Sequence, residues 1–290
     1  MEPCLFLSIN TFITDPLTHD FMRKALFMSS LVAAVCGFLS SYLTLKGWAL
    51  MGDAVSHSVM PGVVVAYALG LPFSLGAFIF GVGSVALIGF VKQKSRVKED
   101  TVIGLVFTGF FALGIVLVSK IKSNIDLHSI LFGSPLGISL SDVKQTVLIS
   151  FLVVILLSVF RKDLMLYCFD PRHAKTVGIN VLFLHYLLLT CLSLAAVVGL
   201  QTVGIILVVA MLITPGATAY LLTDQFDNMT IISVLSAIIS SVIGIYCSFW
   251  FDLETGGSIV LAQTFIFLFA FLFAPRYGIF KIKKLFSTYK

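Results

Sequence analysis

Charged residues are scarce in this sequence. Only 11% of its 290 residues are Asp, Glu, Lys or Arg, whereas 59% are hydrophobic and the mean hydropathy is +1.07. Soluble domains carry about 25% charged residues, so this composition excludes a soluble protein. Segments of about ten residues that alternate between apolar and polar, the signature of an outer-membrane barrel, are also missing. The sequence therefore predicts an all-α, polytopic transmembrane helical bundle.

Several catalytic and redox motifs are missing as well. The sequence has no phosphate-cradling G-x-x-x-x-G-K-[ST], no H-E-x-x-H and no G-x-S-x-G. Its five cysteines are scattered without a C-x-x-C pair, which excludes a disulfide framework and a cysteine metal cluster. The first twenty residues hold two acidic groups before any basic one and no small-residue cleavage site, so we expect no cleaved signal peptide.

What the sequence has in abundance is long apolar segments, which predict eight or nine membrane crossings in a single domain spanning residues 1–290. The uncertainty in the count comes from the second segment, which carries polar groups and Pro61 and is separated from the third only by "GLP". Each segment is long enough to cross most of a hydrocarbon core of about 30 Å. The segments lie at about 25–45, 49–70, 73–91, 101–119, 143–160, 181–198, 203–222, 230–251 and 258–274.

The basic residues predict the orientation. Three clusters, 92–98, 161–175 and 276–290, should be cytoplasmic by the positive-inside rule. Alternation then places the acidic loop 252–258 outside and the loop 223–228, which has no positive charge, inside. The net charge of +5 is explained by this orientation and does not indicate nucleic-acid binding.

Two ionisable residues stand out in the second segment, "LMGDAVSHSVMPGVVVAYALG". Asp53 and His57 are four positions apart, so on a helix they share one face. Ionisable groups at membrane depth cost about 2.5–3.5 kcal/mol on insertion scales, and most face a bundle interior or an aqueous pathway. A carboxylate and an imidazole suit Mn²⁺, Fe²⁺ or Zn²⁺. The alternative is structural: Asp53 caps the helix and His57 bonds to it.

The sequence around this pair resembles that of a known family. "KGWALMGDAVSHSVMPGVVVAYALG" is similar to the G-D-x-x-x-H-x-x-x-P-G signature of the membrane-spanning subunits of ATP-binding-cassette importers for manganese, iron and zinc. The likeness continues in order through "KEDTVIGLVFTGFFALGIVLVSK", "NIDLHSILFGSPLGIS", "FDPRHAKTVGIN", "VGIILVVAMLITPGATAYLL" and "DLETGGSIVL", and so covers nearly the whole chain.

The resemblance implies a function and its partners. It implies a permease subunit, not an enzyme, in the bacterial inner membrane, where it works with an ATPase subunit, a second identical or related permease subunit and an extracytoplasmic metal-binding protein. Asp53 and His57 match the residues that act in metal passage in that family. The sequence is more similar to the manganese/iron branch of the family, which includes the chelated-iron permeases, and zinc is the alternative cargo. No permanently bound cofactor is expected.

The segment "FDPRHAKTVGIN" predicts the contact with the ATPase. Asp170 and Pro171 should start a short helix, because Asp caps and Pro is tolerated at the first position. Ala174 and Gly178, four positions apart, would leave a small-residue face for a partner, as in the coupling helices of several other ABC importers. Alternatively, the segment is an interfacial loop whose basic residues touch lipid headgroups.

Other polar positions have two interpretations each. His185 can be a metal ligand or a hydrogen-bonded packing residue. Asp252 can belong to an external loop that concentrates cations or receives a binding protein, or to a plain acidic turn. Asp126 and His128 point apart on a helix at their i,i+2 spacing and are candidates only for an external mouth. The Thr214-Pro215-Gly216 sequence predicts an interruption of the seventh segment, which can line a cavity or simply bend a helix.

Two other functions fit the sequence less well. An intramembrane hydrolase would need a third metal ligand at helical spacing and a general base, and the sequence offers no such motif. A secondary carrier usually shows a repeat of two halves, which we do not find.

Overall fold

The computed structural model describes residues 14–120 and 140–274, which are helical with short connections and contain no strand within those ranges. The helices, in chain order, are α1 (Asp20–Lys46), α2 (Ala49–Ala68), α3 (Phe73–Lys94), α4 (Glu99–Lys120), α5 (Leu140–Val159), α6 (Arg161–Phe169), α7 (Pro171–Thr176), α8 (Val181–Val203), α9 (Ile205–Leu222), α10 (Phe226–Phe251) and α11 (Thr255–Phe273).

Each of the nine apolar segments forms one of these helices, which confirms the predicted all-α membrane bundle. In the described ranges, six helices are long and apolar enough to cross a membrane by themselves: α1, α3, α4, α8, α10 and α11. The bent pair α5 and α6, which meet at 71°, adds a seventh span. Eight crossings require one of α2 and α9 to cross as well, and nine require both; α2 has 20 residues, enough for about 30 Å.

Burial separates central from peripheral helices. In α1, 67% of the apolar window is buried, compared with 22% in α4 and 28% in α11. The core around α1 includes Leu39, Tyr42, Leu188 and Leu212, each fully or almost fully buried. The helix α4 therefore lies at the edge of the bundle and packs with one side only.

An ion pair and a ring contact show which segments lie together at each end of the bundle. The Arg161 guanidinium bonds the Asp227 carboxylate, so the loop 223–228 lies at the same end as the basic segment 161–175. This agrees with the prediction that both are cytoplasmic. At the other end, the His19 ring lies 6.0 Å from the Phe249 ring, which brings the start of α1 to the end of α10 and the acidic loop.

The predicted interruption at Thr214-Pro215-Gly216 is wrong. The helix α9 continues through Pro215, and the Gly216 N–H donates to Ser40 Oγ at 2.9 Å on the neighbouring α1. The chain instead breaks at Gly204, which has φ +84° and separates α8 from α9. Only glycine adopts that conformation without strain, so the turn of a single residue depends on it.

Candidate metal-ion site

The pair Asp53 and His57 lies inside α2 and not at its start. The preceding helix ends at Gly47 in the left-handed conformation, the Trp48 N–H bonds back to the Leu43 carbonyl, and α2 begins at Ala49. Asp53 is therefore the fifth residue of the helix, and Trp48 occupies the N-cap position. The alternative in which Asp53 caps the helix is excluded by this geometry.

The two side chains meet on one face of α2, as their spacing predicts. Asp53 Oδ1 lies 3.3 Å from His57 Nε2, and the side chains are 36% and 20% exposed. Two ligands that bind one ion at about 2.1 Å, at angles between about 90° and 109°, stand roughly 3.0 to 3.4 Å apart. The observed distance therefore matches the spacing of two ligands on a single divalent transition-metal ion.

The imidazole of His57 is enclosed by aromatic rings of α4. Its ring centroid lies 5.0 Å from that of Phe107 and 5.3 Å from that of Phe111, both edge-on. His57 Nδ1 is buried and has no hydrogen-bond partner among the described residues. A buried polar atom without a partner carries an energetic cost, so Nδ1 of this imidazole is open to a further ligand or hydrogen-bond partner.

Because of Pro61, the backbone carbonyl oxygen of His57 has no hydrogen-bond donor within the helix, a feature that the sequence interpretation missed. Pro61 lies inside α2 and has no amide hydrogen, so the carbonyl of His57, four residues earlier, lacks its usual intrahelical donor. The helix α4 closes over this point at Gly114, where a Cβ would stand 3.3 Å from the Pro61 nitrogen. In the sequence, the free carbonyl could have been recognised from the spacing of four residues between His57 and Pro61.

The site lies deep in the bundle. Phe107 and Phe111 are eight and twelve positions into the 22-residue α4, which places them roughly 12 and 18 Å from its start. Within the described ranges, no third His, Cys, Asp or Glu joins the pair to form a group of three. The described part of this chain therefore supplies one carboxylate and one imidazole, from the fifth and ninth residues of α2, to this site.

His185 lies elsewhere, on the wall of a cavity of about 620 Å³ that we call the lysine cavity. The cavity is lined by Lys46, Lys92, Lys175, Trp48, Tyr167 and His185, together with apolar residues. His185 Nδ1 is 2.9 Å from the Tyr167 hydroxyl, and its ring meets Trp48 edge-on at 5.3 Å. The structure does not join His185 to Asp53 and His57, and its hydrogen bond fits the packing interpretation.

Asp252, the other predicted pathway residue that the structure describes, does not join the pair either. Asp252 ends α10 in the left-handed conformation with φ +50°, and its N–H bonds to the Ser248 carbonyl, so it forms the turn into α11. Glu254 then caps α11 through bonds from the N–H groups of Gly256 and Gly257. Asp126 and His128 lie outside the described residues.

The predicted coupling segment forms the short helix α7. Asp170 caps it by accepting bonds from the N–H groups of Arg172 and His173, at 2.9 and 3.1 Å, and Pro171 is its first residue. The same bonds, from His173 first and then Arg172, hold the pKa of the Asp170 carboxyl below its usual value.

The small-residue face predicted for α7 is wrong in its geometry. Ala174 is fully buried against the bundle, and α7 ends at Thr176, before Gly178, which is exposed and has φ +88°. The two residues therefore do not share an exposed helical face. Ala174 attaches α7 to the bundle, and the exposed surface of α7 consists of Arg172, His173, Lys175 and Thr176.

Comparison with known proteins gives consistent matches along the chain. Residues 18–274 match the ABC 3 transport family. The chain is 54% identical over 267 residues to the manganese transport system membrane protein MntB of Synechocystis sp., which covers 92% of this chain and 87% of that protein. It is 47% identical over 261 residues to the chelated iron transport system membrane protein YfeD of Yersinia pestis, covering 90% and 88%.

A solved structure matches the fold. PsaBC from Streptococcus pneumoniae, determined in complex with Fab, superposes with a TM-score of 0.86 at 39% sequence identity. The match covers 95% of this chain and 99% of that one. The helical arrangement described above is therefore similar over nearly the full length of both chains.

Proposed function

Because this chain belongs to the ABC 3 transport family, we propose that it is the membrane-spanning permease subunit of an ATP-driven importer for Mn²⁺, Fe²⁺ or both. The family resemblance predicted from the sequence is confirmed. The relatives reported above carry names for manganese and chelated-iron transport, which favours these cargoes over zinc. A transport family also agrees with a subunit that is not an enzyme.

The observation that carries the proposal is the pair on α2. A carboxylate oxygen and an imidazole nitrogen 3.3 Å apart on one face of a membrane helix form part of a coordination sphere for a divalent transition metal. One carboxylate neutralises part of the ion's charge, and the imidazole replaces a water ligand. Incomplete coordination suits a transporter, since the ion has to leave.

A second permease subunit supplies the missing ligands in this proposal. Asp53 remains 36% exposed, and no further acidic or imidazole ligand joins it from the described residues. An identical or related subunit would bring a second Asp–His pair to a shared axis and give a site with two carboxylates and two imidazoles.

The energy source is a separate ATPase that binds at the end of the bundle where α6 and α7 lie. The sequence has no phosphate-cradling loop of its own. The capped helix α7 presents an exposed basic surface there, and its buried Ala174 connects it to the bundle. Movement of α7 on ATP binding would reach α1 and α8 and shift the bundle between outward and inward access.

An extracytoplasmic metal-binding protein would deliver the ion at the opposite end, near the acidic loop that contains Asp252 and Glu254. The chain is a multi-pass membrane protein, and we place it in the bacterial inner membrane. Its basic clusters then face the cytoplasm, where the ATPase is found.

Uptake measurements test the proposal. We would reconstitute the chain with its ATPase and binding protein in vesicles and measure ATP-dependent uptake of Mn²⁺, Fe²⁺ and Zn²⁺, each alone and in competition. Asp53→Asn and His57→Ala should each lower uptake of the favoured ion by at least about tenfold, because a ligand is lost. Asp20→Asn, the same change at an exposed carboxylate, is the matched control.

ATPase activity and complex assembly, measured beside uptake, separate loss of a metal ligand from loss of the assembled transporter. ATPase activity and complex assembly should persist in both variants, since neither residue belongs to α6 or α7. Normal uptake by both variants would contradict the role of the pair, and preferential uptake of Zn²⁺ by the wild type would contradict the proposed cargo.

A further inference from the structure

The two nitrogens of the His57 imidazole have different surroundings. Nε2 faces Asp53, and 3.3 Å separates it from Oδ1 on the partly exposed side of the pair. Nδ1 is buried and has no hydrogen-bond partner in the part of the chain that the structure describes. Only Nε2 is therefore placed to bind an ion together with the Asp53 carboxylate. A neutral imidazole that binds a metal through Nε2 carries its proton on Nδ1.

The hydroxyl groups near His57 in the sequence and on the facing helix do not accept this proton. Ser56 and Ser58 each donate to a carbonyl of their own helix, α2. On α4, the hydroxyl of Thr108, which follows Phe107, donates to a carbonyl of α4 at 2.8 Å. None of these bonds involves Nδ1. When the ion binds Nε2, the Nδ1–H group is thus a buried donor without an acceptor from these side chains.

Phenyl rings fill the space beside the imidazole. The ring centroids of Phe107 and Phe111 lie 5.0 and 5.3 Å from that of His57, at interplanar angles of 67° and 86°. The two phenyl rings are stacked on each other at 6.1 Å and 19°, so together they form one apolar wall on α4. A phenyl ring offers an N–H group a weak contact at most. The wall therefore occupies space in which a carboxylate, amide or water could have accepted from Nδ1–H.

An acceptor for the second imidazole nitrogen normally strengthens a metal site. Histidine ligands almost always donate this N–H to a carboxylate, a carbonyl or water, which raises the basicity of the ligating nitrogen, and loss of that partner lowers metal affinity by about 10- to 100-fold. We propose that Phe107 and Phe111 are positioning residues that hold the His57 ring toward Asp53, leave its Nδ1–H without an acceptor and thereby keep the affinity for the transported ion low. The inference rests on the proposed function, because it concerns the same ion.

A weakened histidine ligand suits an ion that has to move on. An acceptor on Nδ1–H would hold the ion more tightly at Nε2 and slow its release. The same two rings limit the orientations that the imidazole can adopt, because they contact it edge-on from one neighbouring helix. Geometry and affinity at His57 are thus set by one apolar wall that does not touch the ion.

Supplying an acceptor tests the inference. Phe107→Gln and Phe111→Gln each place an amide oxygen in space that a phenyl ring filled. Phe107→Leu and Phe111→Leu are the matched controls, because they remove the ring without adding an acceptor. Leu105→Gln adds the same amide to the outer face of α4, where Leu105 is 70% exposed. Asp53→Asn tests the metal site itself.

Binding and uptake are measured separately. Electron paramagnetic resonance of free Mn²⁺ gives the affinity of the permease with its ATPase, without nucleotide and without the binding protein, and vesicle uptake gives the maximal rate. Phe107→Gln, at the nearer ring, should bind Mn²⁺ about tenfold more tightly than the wild type, with a lower maximal uptake rate because release slows. Phe111→Gln should change in the same direction. The leucine variants and Leu105→Gln should not gain affinity.

The ¹⁵N NMR spectrum of histidine-labelled protein reads the Nδ1–H group directly, with diamagnetic Zn²⁺ as the probe ion and His57→Ala to assign the signal. In the wild type, His57 should show a metal-bound Nε2 and a protonated Nδ1 without a hydrogen bond. In the glutamine variants the Nδ1 resonance should shift toward that of a hydrogen-bonded group. The wild-type spectrum decides the question even if a glutamine variant does not assemble.

Three results would overturn the inference. A hydrogen-bonded Nδ1–H in the wild type would show that the second subunit or water supplies the acceptor. Glutamine variants that bind Mn²⁺ no more tightly than the leucine variants, while Asp53→Asn still loses binding, would leave the metal site standing and remove the role of the rings. Unchanged Mn²⁺ binding in Asp53→Asn would contradict the proposed metal site and the inference with it.

Discussion

The helix α2 and the segment formed by α6 and α7 are attached to the bundle in different ways. Along α2 the contacts are steric and involve the backbone: Gly62 faces Gly76 of α3, and Pro61 faces Gly114 of α4. Around α6 and α7 the buried residues Leu164 and Ala174 are joined by polar contacts, the Asp170 cap within the segment and the ion pair between Arg161 and Asp227.

The environment explains this difference. Between helices in lipid, the hydrophobic effect contributes little, so close packing at small residues holds the contact. At the end of the bundle, caps and ion pairs satisfy the backbone and the charges. The metal site therefore depends on where α2 lies to within a fraction of an ångström, whereas the α7 segment depends on hydrogen bonds that pH can change.

The largest effect is expected at Gly62. In Gly62→Ala the new Cβ would lie 2.2 Å from the Gly76 carbonyl oxygen, a backbone atom that cannot rotate away. The helices α2 and α3 must separate, and we expect a destabilisation of about 1 to 3 kcal/mol together with a loss of ion uptake. Unfolding in mixed micelles and vesicle uptake measure the two effects.

Gly83→Ala on α3 is the control for this change. A Cβ at Gly83 meets nothing within 4 Å, so alanine should be neutral or should stabilise the helix by up to about 1 kcal/mol. Equal destabilisation by the two substitutions would show that steric contact at Gly62 does not position α2.

A smaller effect is expected at Gly114, where α4 covers Pro61. In Gly114→Ala the Cβ would lie 3.2 Å from Met60 Cγ and 3.3 Å from the Pro61 nitrogen. Met60 is flexible but the proline is not, so α4 should move by a few tenths of an ångström at a cost of about 1 kcal/mol or less. Uptake should fall by a few fold, because the Phe107 and Phe111 rings that enclose His57 move with α4.

Gly109→Ala on the same helix is the comparison for Gly114, since a Cβ there meets nothing within 4 Å. Its uptake and stability should stay at the wild-type level or slightly above. A loss of uptake in Gly109→Ala as large as that in Gly114→Ala would contradict the role of this contact.

The smallest effect concerns Asp170 and pH. Its pKa is lowered in the folded chain, so the stability that its cap provides is present above the ordinary carboxyl pKa and is lost as the pH falls through the lowered value. Thermal unfolding of the wild type between pH 7 and pH 3 should include this loss. Asp170→Asn, which caps without titrating, should reduce the pH dependence while keeping α7 at neutral pH.

If Asp170→Asn unfolds with the same pH dependence as the wild type, other carboxylates account for it. Asp170→Ala, which removes the cap at every pH, would then separate the hydrogen bonds from the charge.

Much of this protein is predictable where the physical reason is local. The positions of the nine apolar helices follow from their length and hydrophobicity, and the Asp170 cap follows from an Asp-Pro pair at a helix start. The contact between Asp53 and His57 follows from their spacing of four, since any α-helix brings such residues to one face. None of these features needs a partner helix.

The errors arose where a second helix decides the outcome. Pro215 lies within a continuous helix, and the N–H of the next residue, Gly216, donates to Ser40 Oγ of α1, a contact that the sequence does not reveal. Ala174 is buried because α7 folds back on the bundle, which a spacing of four residues does not reveal. The sequence left two interpretations of His185 open, and only its tertiary neighbours show that it lies on the wall of the lysine cavity with Tyr167 as its partner.

The sequence by itself determined the membrane environment, the helices, the transport family and the pairing of Asp53 with His57, because hydropathy, helical period and motif spacing act within one segment. Only the tertiary structure decided what surrounds them. It placed the His57 ring between aromatic residues of α4 and brought three lysines from distant segments into one cavity. Contacts between residues far apart in the chain depend on how the helices pack, and that packing is set by the whole bundle.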